Sequence, residues 1–320
     1  PDAGVSEFWY DRLGRLALSQ NAQQSAPSGG GVRASYTLYD HLSRITEVGQ
    51  INNASPAITN AISRNPTQLQ NWMNSNIARR QQVTLTVYDQ AAKESFLHKD
   101  LSPYIIQQRG NLRNRVSFTL FSKTGDINNY DYAAFYNYDI HGNVDTLLQD
   151  YGATGLLAQN GGRYKRITYQ YDLISGKVNT VSYQPRLYDP VTKKYITQPD
   201  AFYHKYSYDA ENRLTDVYTS TDELYWEHDS YYEYYKHGPL ARTVLGNRQV
   251  QGLDYAYTLQ GWLKGVNSTA VGTGQYDAGN DGLSGSANHY VARDAFGFSL
   301  QYYGSDYTPI KNSNSFADIT

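Results

Sequence analysis

The sequence predicts a mainly β protein built from antiparallel hairpins, and three observations carry that reading. A Tyr-Asp-x-x-Gly-Arg-Leu unit recurs along the 320 residues. Tyrosine dominates the aromatic residues, with 32 Tyr against 9 Phe and 4 Trp. Short alternating runs such as Val83-Thr84-Leu85-Thr86-Val87-Tyr88 are separated by Gly-, Asn- and Asp-rich turns. Self-similarity of this kind marks a repeat architecture. A lone hairpin is marginal in water, so the repeats must stack on one another, which predicts a long curved or spiralling sheet.

The first hairpin is Tyr10-Asp11-Arg12-Leu13-Gly14-Arg15-Leu16. Asp at the first and Gly at the fourth turn position is the composition of a type I turn. The carboxylate can accept backbone N–H groups, and Gly enters positive φ without steric cost. Tyr39-Asp40-His41-Leu42-Ser43-Arg44-Ile45 is the second copy. Residues 1–50 are expected to hold these two repeats, joined by a mobile Gln/Ser/Gly loop from Gln20 to Gly31.

A helical insertion is expected over 51–82. Ser55-Pro56 and Asn65-Pro66 each place a capping residue before Pro at a first helical position. Leu69, Trp72, Met73 and Ile77 follow at helical spacing, a stripe to cover the sheet. Residues 83–267 read as the body of the repeat sheet. Tyr88-Asp89 keeps the opening pair but has Ala92-Lys93-Glu94 where Gly-Arg-Leu should stand. Tyr138-Asp139-Ile140-His141-Gly142-Asn143-Val144 is a fuller copy, and the Tyr171-Asp172 copy reaches Gly176 with one extra residue. Tyr208-Asp209-Ala210-Glu211-Asn212-Arg213-Leu214 puts Asn, the next best left-handed residue, at the Gly position. Tyr235-Lys236-His237-Gly238-Pro239-Leu240 reads as one residue short and without its Asp. Gly246 opens a further turn in the manner of a type II′ hairpin. Tyr257-Thr258-Leu259-Gln260-Gly261-Trp262-Leu263 ends the body. Residues 268–320 read as a Gly/Asn-rich loop and a degenerate tail in which Asp294-Ala295-Phe296-Gly297 keeps a turn without its Tyr.

Composition excludes several functions. A net charge of −2 with 18% charged residues gives no electrostatic case for nucleic acid or an acidic membrane. Arg79-Arg80 and Arg109, Arg113 and Arg115 read as solvated edges. The absence of Cys removes disulfides, thiol catalysis and thiolate metal sites. The longest apolar run, Tyr132 to Tyr136, is far short of a membrane span. No signal peptide is present, and the chain reads as an excerpt of a longer protein.

These units resemble the YD repeats of the Rhs (rearrangement hotspot) proteins, whose animal relatives are the teneurins. The likeness spans nearly the whole chain and is most specific in Trp9 to Leu16 and in His237 to Leu263, with Arg293-Asp294-Ala295-Phe296-Gly297-Phe298 also similar to bacterial members. The resemblance implies a β-sheet wound into a hollow shell that encloses a toxic C-terminal domain, in a secreted or cell-surface protein. Its partners would be the remainder of the parent protein and that passenger. Family shells are closed by a core that is cut by an aspartyl self-protease carrying an Asp-Pro-x-Gly motif. Here Asp189-Pro190 is followed by Val191-Thr192, so the chain resembles shell wall without plug, protease or toxin.

Chemistry-bearing motifs are sparse. The seven His residues form no zinc pattern. No Gly-x-Ser-x-Gly elbow or phosphate loop is present. Asp277, Gly279, Asp281 and Gly282 faintly trace a calcium loop, but Asn288 stands at its twelfth position. A catalytic carboxylate pair cannot be picked by spacing. No enzyme and no cofactor are therefore expected. Trp226, Tyr231, Tyr232, Tyr234 and Tyr235 form the best candidate for a sugar-stacking surface. Such rings also serve as cross-strand ladders between hairpins. The expected role is a structural shell segment presenting a passenger domain; the alternative is a surface adhesion or carbohydrate-binding module.

Overall fold

The computed structural model describes residues 4–25, 33–99, 101, 108, 111–159, 162–189, 193–196, 198–267 and 278–302. Nineteen strands and four short α-helices lie among the described residues, and seventeen strands belong to one antiparallel sheet. The chain divides into two compact units, Pro1–Gln170 with Ser182–Ala201 and Tyr171–Val181 with Phe202–Thr320.

In the first unit β1 (Glu7–Tyr10), β2 (Leu16–Gln20), β3 (Arg33–Tyr39), β4 (Ile45–Asn52), β5 (Arg80–Tyr88), β6 (Val116–Ser122), β7 (Tyr132–Tyr138), β8 (Val144–Asp150) and β9 (Tyr164–Tyr171) each pair antiparallel with the next. β10 (Val178–Tyr183) contributes residues to both units. β11 (Leu187–Asp189) and β12 (Lys194–Ile196) form a separate ribbon.

The linker expected as a mobile loop begins instead with a helical turn, α1 (Ala22–Ser25). Asn21 Oδ1 accepts the Gln24 amide at 2.8 Å and Gln24 Oε1 accepts the Asn21 amide at 3.0 Å, a reciprocal cap. The rest of that linker, 26–32, lies outside the described residues.

Two helices cover β1 to β4: α2 (Asn60–Arg64) and α3 (Pro66–Ser75). Asn65 caps α3, its side chain accepting the Gln68 amide at 3.1 Å, with Pro66 at the first helical position. Ser55-Pro56 does not open a helix. The Ser55 amide is held by Asn76 Oδ1 at 3.0 Å and the Pro56 carbonyl accepts the Trp72 indole at 2.7 Å, while Thr59 caps α2. Trp72 and Met73 are buried with Ala17, Leu18, Ala34, Tyr36 and Ile51. Ile77 leaves the stripe and is 60% exposed, because it lies past the end of α3 in a 3-10 turn, where the 3.6-residue period stops.

A second cover, drawn from described residues between β5 and β6, packs on β5 to β9 and buries Ala92 and Leu101 with Phe118, Phe135 and Leu148. Two basic residues expected at solvated edges are tied down. Arg80 Nη1 reaches Glu47 Oε1 at 2.9 Å, an oxygen that also accepts the Tyr36 hydroxyl at 2.6 Å. Burial first, then Glu47, raises the Tyr36 phenol well above its ordinary value. Arg115 stands over the Tyr138 ring at 5.5 Å.

In the second unit β13 (Phe202–Tyr208), β14 (Leu214–Ser220), β15 (Glu227–Tyr234), β16 (Leu240–Leu245), β17 (Gln251–Tyr257), β18 (Leu263–Val266) and β19 (Phe298–Ser299) continue the antiparallel order. Gly246 does take positive φ, at 84°, but Leu245 pairs with Gln251 and leaves a five-residue loop rather than a two-residue type II′ turn. Gln249, also at positive φ, supplies the second bend, donating to the Gly246 carbonyl at 2.7 Å. No helix among the described residues is long and apolar enough to cross a membrane.

Candidate functional site

The feature that recurs in both units is the turn between paired strands, and each turn is built from its own sequence. In the first, the Gly14 amide donates to the Asp11 carbonyl at 3.1 Å, the Asp11 amide donates to the Arg15 carbonyl at 2.9 Å, and Gly14 sits at φ 78°. This is a type I turn closed by a left-handed residue. Asp11 Oδ1 accepts the amides of Leu13 and Arg15 at 2.8 and 2.9 Å, and Asp11 Oδ2 accepts Arg15 Nε at 2.7 Å. Asp40 with Arg44 and Asp209 with Arg213 repeat this arrangement, as Asp139 does with Asn143. Ser43 and Asn212 take the left-handed position at φ 64° and 62°. Asp172 holds its longer turn through the Ile174 and Ser175 amides, with Gly176 at φ 69°. Gly261, at φ 83°, donates to Thr258, which stands where Asp does elsewhere.

What joins one turn to the next is a relay of arginine, tyrosine and carbonyl. In the first unit Arg15 lies 4.4 Å over the Tyr39 ring, and the Tyr39 hydroxyl donates to the Leu16 carbonyl at 3.0 Å. Arg44 lies 4.2 Å over Tyr88, which donates to Ile45 at 3.0 Å, and Arg115 stands over Tyr138, which donates to Val116 at 2.8 Å. In the second unit Arg213 lies 4.4 Å over Tyr234, which donates to Leu214 at 2.8 Å, and Tyr208 donates to Val178 at 2.8 Å. Each tyrosine is preceded on its strand by a register shift that leaves one residue of the return strand unopposed, as between Trp9 and Tyr10 and between Ser207 and Tyr208.

The geometry corrects three sequence frames. The Tyr88-Asp89 copy is not decayed: Asn114 at φ 58°, Arg115 and Val116 complete it, with the Asn114 amide donating to Asp89 Oδ1. Tyr234, not Tyr235, is the repeat tyrosine of its turn, since Tyr234 pairs with Leu240 and Tyr235 occupies the Asp position, donating its amide to the Pro239 carbonyl. That copy is therefore full length. Asp294-Ala295-Phe296-Gly297 is no hairpin turn; Asp294 is buried and accepts Gln251 Nε2 at 3.1 Å.

Burial tends to raise the turn carboxylates. At Asp11 the Arg15 amide and guanidinium and the Leu13 amide outweigh it, and at Asp139 the Asn143 side chain and amide do, so both lie below the usual carboxylate range. Asp40 and Asp209 are lowered in the same way by Arg44 and Arg213. A depressed folded pKa stabilises above the unfolded value near pH 3.9, and that contribution is lost as pH falls through the folded value. The melting temperature is therefore expected to be level down to about pH 5 and to fall below about pH 4. Melts of the Asp40→Asn and Asp209→Asn double variant should show a shallower acid limb.

The two turn glycines separate strain from space. A Cβ on Gly14 meets nothing within 4 Å, whereas one on Gly142 collides with the Arg115 guanidinium. Gly14→Val is expected to cost roughly 1–3 kcal/mol by backbone strain alone. Gly142→Val carries the same backbone strain and also moves the Arg115 guanidinium aside, and an unchanged urea midpoint in both variants would refute the strained turn.

The aromatic candidates do not make one platform. Tyr231 and Tyr232 are adjacent on β15 and face opposite sides. Lys205 Nζ lies 4.7 Å over the Trp226 ring, Tyr234 belongs to the relay, and the Tyr235 hydroxyl donates to the Tyr255 carbonyl at 2.8 Å.

Two buried ionic nodes were not legible in the sequence. In the first unit Asp150, fully buried, accepts Lys99 Nζ, the Tyr130 hydroxyl at 2.6 Å and Arg163 Nε at 2.7 Å. Burial raises its carboxyl, but Arg163, Lys99 and Tyr130 prevail and hold it below the usual range. In the second unit Asp254, Asp281 and Asp294 offer oxygens within 4.8 Å of one another. That spacing suits a cation, and a cation side chain is there: Arg242 reaches Asp254 and Asp281 at 2.5 Å each. Asp281 of the faint calcium pattern is thus bound to arginine, and Asp277 lies outside the described residues.

No protein-family model matches the chain, and no curated protein matches it. Among solved structures, the crystal structure of TcdB2-TccC3-Cdc42 is similar over 83% of this chain, at 13% identity and a TM-score of 0.50. The Tc holotoxin pore of Photorhabdus luminescens aligns with 82% of this chain at 12% identity and a TM-score of 0.29, covering 13% of that chain. A porin-like protein from Bacteroides uniformis aligns with 73% at 8% identity and a TM-score of 0.31, covering 82% of that chain. The first likeness shows a shared fold. This chain spans 10% of the length of that TcdB2-TccC3-Cdc42 chain.

Proposed function

We propose that this chain is a wall segment of an Rhs-type β-shell, whose work is to enclose and present a passenger domain of an exported protein. The observation that carries the reading is the relay from turn to turn, present in both units, which ties a hairpin to its neighbour by two contacts, arginine over tyrosine and tyrosine to carbonyl. Fold likeness to the TcdB2-TccC3-Cdc42 structure supports it. The mechanism is physical. Strand pairing satisfies the backbone, covers such as α2–α3 bury one stretch of sheet, and the relay keeps the turns in register so that the wall resists opening.

The test is protection. Expressed with its flanking coding sequence, the protein is expected to shield a downstream domain from protease, and Arg44→Ala with Arg213→Ala should speed its cleavage. Cleavage as fast as that of the free domain would end the proposal. An adhesion module predicts instead glycan binding that disappears in Trp226→Ala; the split of the aromatic row across two faces weighs against it.

A further inference from the structure

We propose that the recess between the α2–α3 cover and the first turn is a binding site for an amphipathic monoanion, a medium-chain fatty acid whose carboxylate meets Arg12. The inference uses the first unit alone and stands whether or not the chain forms a shell wall.

The two helices cover the sheet incompletely. Trp72 and Met73 of α3 are buried with Leu18, Tyr36 and Ile51, but beside the turn that carries Asp11 a cavity of about 590 Å³ remains. Protein interiors leave few voids larger than a water molecule, whereas sites for small molecules run from about 300 to 1,000 Å³. The recess therefore has the size of a site and not of a packing defect. Exposure orders its walls. Ala17 and Met73 are buried and Leu38 and Leu69 half-buried, which makes an apolar floor. Arg12 and Gln70 are exposed and stand at the mouth.

The mouth carries one uncompensated charge. Asp11 is neutralised by Arg15, whose Nη2 lies 2.7 Å from Asp11 Oδ2. Arg12 has no hydrogen-bond or ion-pair partner among the described residues. Gln70 Nε2 donates to Asn74 Oδ1 at 3.1 Å, which leaves its second hydrogen to give. A guanidinium and an amide N–H above a hydrocarbon floor complement a carboxylate on an unbranched alkyl chain. A dianion would meet a single positive charge. A sugar would set its hydroxyls against Leu38, Leu69 and Met73, which offer them no partner.

The probes are hexanoate, octanoate and decanoate below their micellar concentrations, titrated into the protein by calorimetry. One-to-one saturable binding is expected, tightening roughly fourfold for each added methylene that enters the floor. Octan-1-ol should bind more weakly than octanoate. Arg12→Gln, an exposed change that leaves Asp11 and Arg15 in place, should weaken octanoate roughly two- to fivefold and leave octanol unchanged. Leu69→Trp, checked for folding by its melt, should abolish binding by filling the floor. Hydrogen exchange in α2 and α3 should slow with octanoate. Absence of saturation, equal affinity for octanol, or binding without protection of α3 overturns the proposal. Protection of both helices that grows with protein concentration alone overturns it too, in favour of a second copy.

Discussion

Asp150→Leu is expected to cost about 3–5 kcal/mol, because removing one member of a buried ionic group leaves the others charged without a partner. Lys99 lies 5.1 to 5.3 Å from the Tyr130, Phe135 and Tyr164 rings and cannot turn to solvent without leaving that aromatic wall. The loss should be more than global. Lys99 belongs to the cover between β5 and β6, so hydrogen exchange in residues 89–99 is expected to rise well before unfolding. Lys99→Met with Asp150→Leu should recover part of the stability, since two apolar side chains leave no orphaned charge except Arg163, which is partly exposed. A single-variant urea midpoint within about 1 kcal/mol of the parent would refute the node, as that is the size expected of an exposed pair.

Arg242→Met is the second large effect, again about 3–5 kcal/mol by the same reasoning. Burial disfavours the Arg242 charge, yet Asp254 and Asp281 outweigh it and raise its pKa further above the ordinary arginine value. Gly252 and Gly279 leave room for the guanidinium, since a Cβ on either would collide with it. Methionine fills that volume and leaves Asp254, Asp281 and Asp294 facing one another. The 278–294 segment should then detach from β16 and β17, seen as faster exchange of the Ala292 amide, which now donates to the Val250 carbonyl at 3.2 Å. Arg242→Lys keeps the charge but not the two-pronged reach, so it should recover only part of the loss. Full stability in Arg242→Met would mean that the carboxylates need no cation.

Local chemistry was legible where the whole device lies within seven residues. Asp11, Gly14 and Arg15 act on one another inside one turn, so residue types alone specify their contacts. Asp89 was misread because its Asn114-Arg115-Val116 completion lies beyond a long insertion, where no spacing rule reaches. Tyr234 was missed because two tyrosines stand together and only the register with Leu240 distinguishes them. Ser55-Pro56 looked like a helix start because capping rules ignore a competing tertiary partner, here Asn76. Asp150 and Arg242 gave no signal, since their partners are brought together by strand order and not by sequence distance.

The completed Asp89 turn carries a wider implication. All the atoms that close it sit at its two ends, so the polypeptide between can lengthen into a folded flap without disturbing the neighbouring hairpins. Every such corner is in this sense a socket. The sheet can acquire new modules by insertion, one corner at a time, while the paired strands on either side keep their register.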